Sequence, residues 1–516
     1  MSGSQLLADP DPSTAPRTPG ERRRSAPPHW NDRRVRFAVV VAVATVAALV
    51  SAWLTPRGPL TTAQALTWMV AAVCIGAIAG FTLGDRWSVV VTPAVFVAVF
   101  ELARIGVEGP TVDTIQPGSL VGVLAFVVGR GVHGLLVLLP MMVGAVYGVE
   151  LATRRRRSTA AAMGVAGWIV TGLLTLALAA ISAMIARPAS TTAIVGADGE
   201  PLAGSIAELT TASIGGHDQA LMIRGTSIDN PVLLHLAGGP GGTDIGAMRL
   251  DATLEQQFTV VTWDQRGTGK SYTALDPTGT LTLDRAVADT VEVTNHLRER
   301  FGQDRIFLTG QSYGTIPSVL AVQRHPELYH AYIGTGQMVS PLTTDRMFYE
   351  DTLAWARRTG NDTLARTLGE VGPPPYDDPL TYAVVGAHER GLNPYPEFDG
   401  HTEMTSTIFA PENTLMDRVN AVRGLADTFA VLYPQLQELD FRTDVPRLDV
   451  PVYLVMGRHE APGRVIPAQE WFDRLDAPSK QWIELDHSSH RASFEEPAAY
   501  SALMAQALAD ADLATE

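Results

Sequence analysis

Apolar residues gather in long runs through the first 187 positions of the chain and in short, separated runs after them. The long runs cover 37–54, 64–84, 88–104, 119–150 and 160–186. Each is long enough for a helix to cross the roughly 30 Å of hydrocarbon in a bilayer, so the pattern predicts about five spans. The run 119–150 is too long for one crossing and is interrupted by Gly129, Arg130 and Gly131. It reads as a short interfacial or re-entrant piece at 119–129 followed by a span at about 132–150. Arg130 and His133 lie inside it; ionisable groups at membrane depth are costly, and either mark function or snorkel to an interface.

Residues 1–35, rich in Pro, Ser, Asp and Arg without apolar period, cannot bury enough surface to offset ordering entropy and read as a disordered tail. Arg22, Arg23, Arg24, Arg33, Arg34 and Arg36 stand before the first apolar residues. A secretory signal also has a basic start, but this one begins late and further spans follow, which favours a retained span. The positive-inside rule then places the tail and the arginines 154–157 in the cytoplasm and everything after Arg187 outside. The expectation is a multi-pass protein of the cell membrane, with a cytoplasmic tail at 1–35, a transmembrane region at 36–187 and an extracytoplasmic remainder.

Beyond Arg187 the texture changes. Short β-type runs at 207–214, 219–225, 231–237, 258–263, 305–309, 329–335, 450–456 and 480–486 alternate with helical patterns, which predicts a mostly parallel eight-stranded sheet with crossover helices. The interval 338–448 is too long for a simple connection and contains helix-like stretches, so it reads as an inserted helical cap. The expected core is thereby split into 205–337 and 449–512. The fold class is an α-helical transmembrane region followed by an α/β domain with a mostly parallel eight-stranded sheet and a helical cap.

Charge supports two unlike halves. Sixteen Arg against nine acidic residues give the first 187 positions +7, whereas 23 basic against 45 acidic residues give the rest −22. The acidic balance speaks against a nucleic-acid partner, which needs clustered Lys and Arg for phosphate contacts. Cys74, the single cysteine of 516 residues, excludes an intramolecular disulfide, a thiolate metal cage and a CxxC redox site.

Three groups of residues carry chemistry. GQSYG (310–314) fits the GxSxG nucleophile elbow; it follows the strand-like RIFLTG and opens a helix-like stretch, a context that lifts the Ser312 hydroxyl out of the sheet edge. LAGGPGG (236–242) follows the third strand, where a loop without side chains can aim an N–H at a developing oxyanion. Gly239 is the candidate donor there, with the N–H of Tyr313 as the second. A serine nucleophile needs a base and an orienting acid in the chain order Ser, acid, His. After the seventh strand stands Glu460, and after the eighth stand His487 and His490.

GGPGG, WDQRGTGKS (263–271), GQSYG, GRHE and HRASFEEP (490–497) together resemble the α/β-hydrolase family of proline iminopeptidases and related serine aminopeptidases, over about 205–512. The resemblance implies Ser312 as nucleophile, His490 as base and Glu460 in the place of the family's usual aspartate. It favours His490 over His487 through the spacing to Glu495, Glu496 and Pro497, and it gives Asp264 and Arg266 a bracing role beside the active site. Three departures stand out. Ala237 replaces a histidine that helps hold the family's loop, Glu460 replaces aspartate, and the cap lacks the W-x-x-W-E pattern that supplies an acid for the substrate's α-ammonium.

The expected activity is that of a membrane-anchored serine hydrolase, an aminopeptidase removing an N-terminal residue from short peptides with a Ser312–His490–Glu460 triad. A carboxylic-ester or lipid hydrolase is the alternative within the enzymes, and a catalytically inactive binding or transport protein is the alternative of another class. No metal or cofactor is implied; the expected partners are a small peptide or acyl substrate and the lipid bilayer. Glu350, Asp351 and Glu370 are acidic candidates in the cap, each more consistent with a solvated helix face than with a pocket.

Overall fold

The computed structural model describes residues 32–117, 119–156, 163–250, 252–388, 392, 395 and 405–513. Most of the expected tail, Arg157 and part of the expected cap fall outside the described residues.

Five apolar helices come first: α1 Arg33–Leu54, α2 Thr62–Leu83, α3 Ser88–Ala103, α4 Leu120–Arg155 and α5 Val165–Ala186. Among the described residues, α1, α2, α4 and α5 are long and apolar enough to cross a membrane, and α3, with 16 residues, is shorter. The expected five spans are therefore four long helices and one short one. Small residues let α2 and α4 touch backbone to backbone. A Cβ on Gly76 would lie 1.9 Å from the Met141 carbonyl oxygen, and one on Gly144 2.1 Å from that of Val73.

The expected break in 119–150 is absent: α4 runs unbroken for 36 residues. The GRG segment is absorbed as a π-helical turn at Val127–Gly131, with a second at Gly134–Leu138. Gly129 serves close packing rather than helix breaking, since a Cβ there would stand 2.0 Å from the Thr111 carbonyl oxygen. Arg130 pairs with Glu101 at 3.3 Å and donates to the Thr114 carbonyl, while the His133 ring packs 4.3 Å from that of Phe100.

The second half is built on one eight-stranded sheet in the order β1-β2-β4-β3-β5-β6-β7-β8. The strands are β1 Ile206–Ile214, β2 His217–Gly225, β3 Val232–Leu236, β4 Thr259–Trp263, β5 Ile306–Gln311, β6 Tyr329–Thr335, β7 Val452–Gly457 and β8 Lys480–Leu485. All eight expected strands are present, each with ends within two residues of the sequence reading. Only β2 runs antiparallel to its neighbours, β1 and β4; the remaining pairs are parallel. The central strands are apolar on both faces, as a sheet covered by helices on both sides requires. Leu234, Val261 and Leu308 enter one core, and Leu233, Val260 and Phe307 enter the other.

Helices α6 Leu283–Phe301 and α7 Thr315–Arg324 connect strands, whereas α8 Pro341–Thr359, α9 Asp362–Val371, α10 Leu380–Gly386 and α11 Leu415–Leu432 lie between β6 and β7. The chain closes with α12 Pro462–Arg474 and α13 Pro497–Leu513. Helix α11 starts at a capping box in which Thr414 and Asp417 satisfy each other's backbone N–H groups.

Helix α11 also joins the two halves. Asn420 donates to the Leu60 carbonyl at 2.8 Å, and the fully buried Arg423 donates to the carbonyls of Val128 at 2.9 Å and Pro59 at 3.0 Å. Arg57, in the loop after α1, forms a bidentate pair with Asp276 at 2.8 and 3.0 Å. The loops α1–α2 and α3–α4 therefore sit at the hydrolase end of the helix bundle. The opposite end carries Arg33, paired with Asp85 at 2.7 Å, and Arg154, paired with Glu150 at 3.0 Å.

Candidate active site

The turn between β5 and α7 places Ser312 in the left-handed region, at φ 52°, the one non-glycine residue with positive φ among those described. That conformation costs energy and points the side chain away from the sheet edge. The flanking glycines are sterically required: a Cβ on Gly310 would lie 2.7 Å from the Gly314 carbonyl oxygen, and one on Gly314 2.2 Å from that of Leu236.

Two other loops deliver the partners of Ser312. Glu460 follows β7 and His490 follows β8. The loops cross at Gly457, where a Cβ would come within 2.3 Å of the Ser489 carbonyl oxygen. The His490 Nε2 stands 2.9 Å from Ser312 Oγ, and its Nδ1 stands 2.6 Å from Glu460 Oε2. An imidazole between a hydroxyl and a carboxylate can take the hydroxyl proton as the oxygen attacks an acyl carbon. The structure brings together the three side chains that the sequence reading singled out. The exposed His487 is not the imidazole facing Ser312.

Glu495 and Glu496 have a physical role in that loop. Glu495 accepts the backbone N–H groups of Ser489 at 2.9 Å and Arg491 at 3.2 Å, and Glu496 accepts that of His487 at 2.8 Å, so the pair fixes the segment that presents His490.

The Glu460 carboxylate is fully buried. Burial pushes its pKa up, but the charges of Arg464 and His490, the hydrogen bond from His490 and the Ala461 N–H outweigh it and bring it down to about 2. Arg464 donates to Glu460 Oε1 at 2.8 Å and lies over the Phe348 ring. The acid is thus held charged toward the imidazole.

The loop after β3 is braced without the missing histidine. Gln265 donates to the Ala237 carbonyl at 3.0 Å, and the Thr243 hydroxyl donates to the buried Asp264, which also accepts the Lys270 N–H at 2.8 Å. Burial pushes the Asp264 carboxyl up to about 7, against those hydrogen bonds. Arg266 binds Asp289 at 2.9 Å and the Gly215 carbonyl at 3.1 Å. Asp264 holds the glycine loop, whereas Arg266 ties β1–β2 to α6.

Two cavities meet at Ser312 and Gly239. The larger, of about 460 Å³, is bordered by the cap residues Phe348, Tyr382, Phe429 and Tyr433. The other, of about 330 Å³, reaches His490, Arg491 and Asp244. The side chain of Tyr313 is buried in the core, which leaves its backbone as the part beside Ser312.

A carboxylate that the sequence reading missed borders the larger cavity: Asp345 on α8. It accepts from the Tyr433 hydroxyl at 2.7 Å and from Gln437 at 3.2 Å. Burial pushes it up to about 6, against those two hydrogen bonds and the charge of Arg464. The acidic candidates Glu350, Asp351 and Glu370 are exposed. Asp345 lies five residues before Glu350 on the same helix, and its bonds from Tyr433 and Gln437 distinguish it. Among the described residues, no group of His, Cys, Asp and Glu is arranged to hold a metal ion.

Residues 231–370 match the family described as alpha/beta hydrolase fold. The chain is 30% identical to "Probable aminopeptidase YbaC" of Bacillus subtilis over 304 residues, which is 58% of this chain and 95% of that one. It is 25% identical to a "Proline iminopeptidase" of Thermoplasma volcanium over 279 residues, 53% of this chain and 87% of that one. The solved proline iminopeptidase of Mycobacterium smegmatis aligns with 60% of this chain and all of its own at 19% identity and a TM-score of 0.45.

Proposed function

The chain belongs to the proline iminopeptidase-like family of α/β-hydrolases and is a serine hydrolase; from that premise we propose that it is a membrane-anchored aminopeptidase that releases the N-terminal residue of short peptides or amino-acyl amides. The observation that carries this reading is the row Ser312–His490–Glu460, with bonds of 2.9 and 2.6 Å.

In the proposed reaction His490 Nε2 takes the Ser312 hydroxyl proton as Oγ bonds to the acyl carbon. The backbone N–H groups of Gly239 and Tyr313 hold the oxyanion. The proton passes from His490 to the leaving amine as the carbon–nitrogen bond breaks. Water then enters, gives its proton to His490 and releases the acyl group, after which Ser312 recovers its proton. Glu460, charged and buried, orients the imidazole and stabilises its cationic form.

Asp345 supports a substrate with a free amine. A carboxylate in the cavity above Ser312 attracts an α-ammonium, in addition to the charge of Arg464 on the same cavity wall. The helix bundle holds the enzyme in the cell membrane with the hydrolase outside, because both described arginine groups, Arg33 to Arg36 and Arg154 to Arg155, then lie at the cytoplasmic end. Turnover of aminoacyl, prolyl and fatty-acyl chromogenic substrates by the wild type and Ser312→Ala tests the reading. Fatty-acyl turnover without aminoacyl turnover would replace it by the esterase reading.

A further inference from the structure

The larger cavity has a wall that comes from the helix bundle rather than from the hydrolase domain. Val121, Leu124 and Ala125 of α4 border it together with Ser312. Leu124 and, on the cap side, Leu425 are 44% and 52% exposed, so they are lip residues that reach both the cavity and the outside. On the outer surface of the same helix Leu120, Val123, Phe126 and Val127 are exposed too, which makes an apolar strip continuous with the span below. Helix α4 has 36 residues. At about 1.5 Å per residue it is about 54 Å long, more than the ~30 Å hydrocarbon, so its hydrolase end projects past the hydrocarbon and carries the apolar strip outward to the cavity. The buried polar contacts of Arg423 with Val128 and Pro59 hold this wall against the cap.

From this we infer that α4 is part of the substrate site, and that the enzyme acts on amphiphiles whose apolar chain reaches the Ser312 cavity from the bilayer between α4 and α11. The inference rests on the serine-hydrolase reading of Ser312 and gives its substrate an apolar chain. Val121, Leu124 and Ala125 would contact that chain, and Leu124 and Leu425 would flank its entry. An apolar wall gains with each methylene it removes from water, so turnover should rise with chain length until the cavity is filled.

The test uses the full chain in lipid vesicles and two substrate series of increasing apolar chain length, nitrophenyl acyl esters and aminoacyl nitroanilides with alkyl side chains. Leu124→Trp narrows the entry at an exposed position, and Val127→Trp, equally exposed but outside the cavity, is the control. The expected result is that Leu124→Trp lowers kcat/KM for the longest chain by about tenfold or more relative to the shortest, the scale of two to three methylenes, while Val127→Trp leaves that ratio unchanged. Fluorophosphonate labelling of Ser312 verifies that each variant is folded. An unchanged ratio in a labelled Leu124→Trp protein overturns the inference and leaves the hydrolase reading standing. Chain-length dependence in the esters without aminoacyl turnover would remove the aminopeptidase reading and support the inference.

Discussion

Arg57 and Asp427 face each other 3.5 Å apart across the junction of the two halves, with 1% of either side chain exposed. One belongs to the loop after α1 and the other to the cap helix α11. Asp427 also accepts the Thr111 N–H at 2.9 Å and the hydroxyls of Thr111 and Tyr272, both at 2.5 Å, so four groups from three segments converge on one carboxylate. A flexible tether would need none of this.

The first prediction follows from that pair. Asp427→Ala leaves a buried guanidinium with Asp276 as its remaining carboxylate partner, and removing one partner of a buried pair typically costs about 3–5 kcal/mol. The variant should unfold at a clearly lower temperature in detergent, and protease should cut between the halves sooner. A wild-type unfolding midpoint would show that the junction contributes little.

The triad gives a second. Ser312→Ala and His490→Ala should each lower turnover by roughly 10⁴ to 10⁶, with the double variant little worse, because the residues act as a unit. Glu460→Gln should cost at least about a hundredfold. His487→Ala should be close to wild type. Loss of activity in His487→Ala alone would reassign the base.

Much of this site was legible before any fold was drawn. Both-face apolar strands bounded by turns gave the sheet, and Ser312, Glu460 and His490 follow strands in the order a nucleophile elbow demands. What escaped the sequence depends on contacts between distant segments. Gly129 looked like a helix breaker because Thr111, whose carbonyl it packs against, is 18 positions away. Asp345 looked like one more cap acid, because nothing local announces that Tyr433 and Gln437 turn it inward. Arg423 and Asp427 carry no local signal in the sequence, and only the docked bundle makes them buried.

A third prediction uses Asp345. Its carboxyl sits at about 6, above its ordinary 3.8, because burial favours the neutral form. It must lose that proton to bind an ammonium, so the ratio of kcat/KM for a free-amine substrate to that for its N-acetyl analogue should rise as pH rises through about 6. Taking the ratio cancels effects that both substrates share. Asp345→Asn should flatten the rise and lower free-amine turnover by about a hundredfold, the scale of a lost buried charge contact. A rise that persists in Asp345→Asn would assign it to another group.

The proposed topology makes a fourth. Protease added to intact cells should cut after residue 190 and spare the N-terminal tail. Protection of the hydrolase domain in sealed cells would invert the topology.

One paired assay decides whether Ser312 serves an aminopeptidase: the full-length protein with an aminoacyl nitroanilide and its N-acetylated form, in wild type and Ser312→Ala. Wild type should cleave the free-amine substrate about a hundredfold or more faster than the acetylated one, and Ser312→Ala should cleave neither. Equal or faster cleavage of the acetylated substrate, or full turnover without the Ser312 hydroxyl, would contradict it.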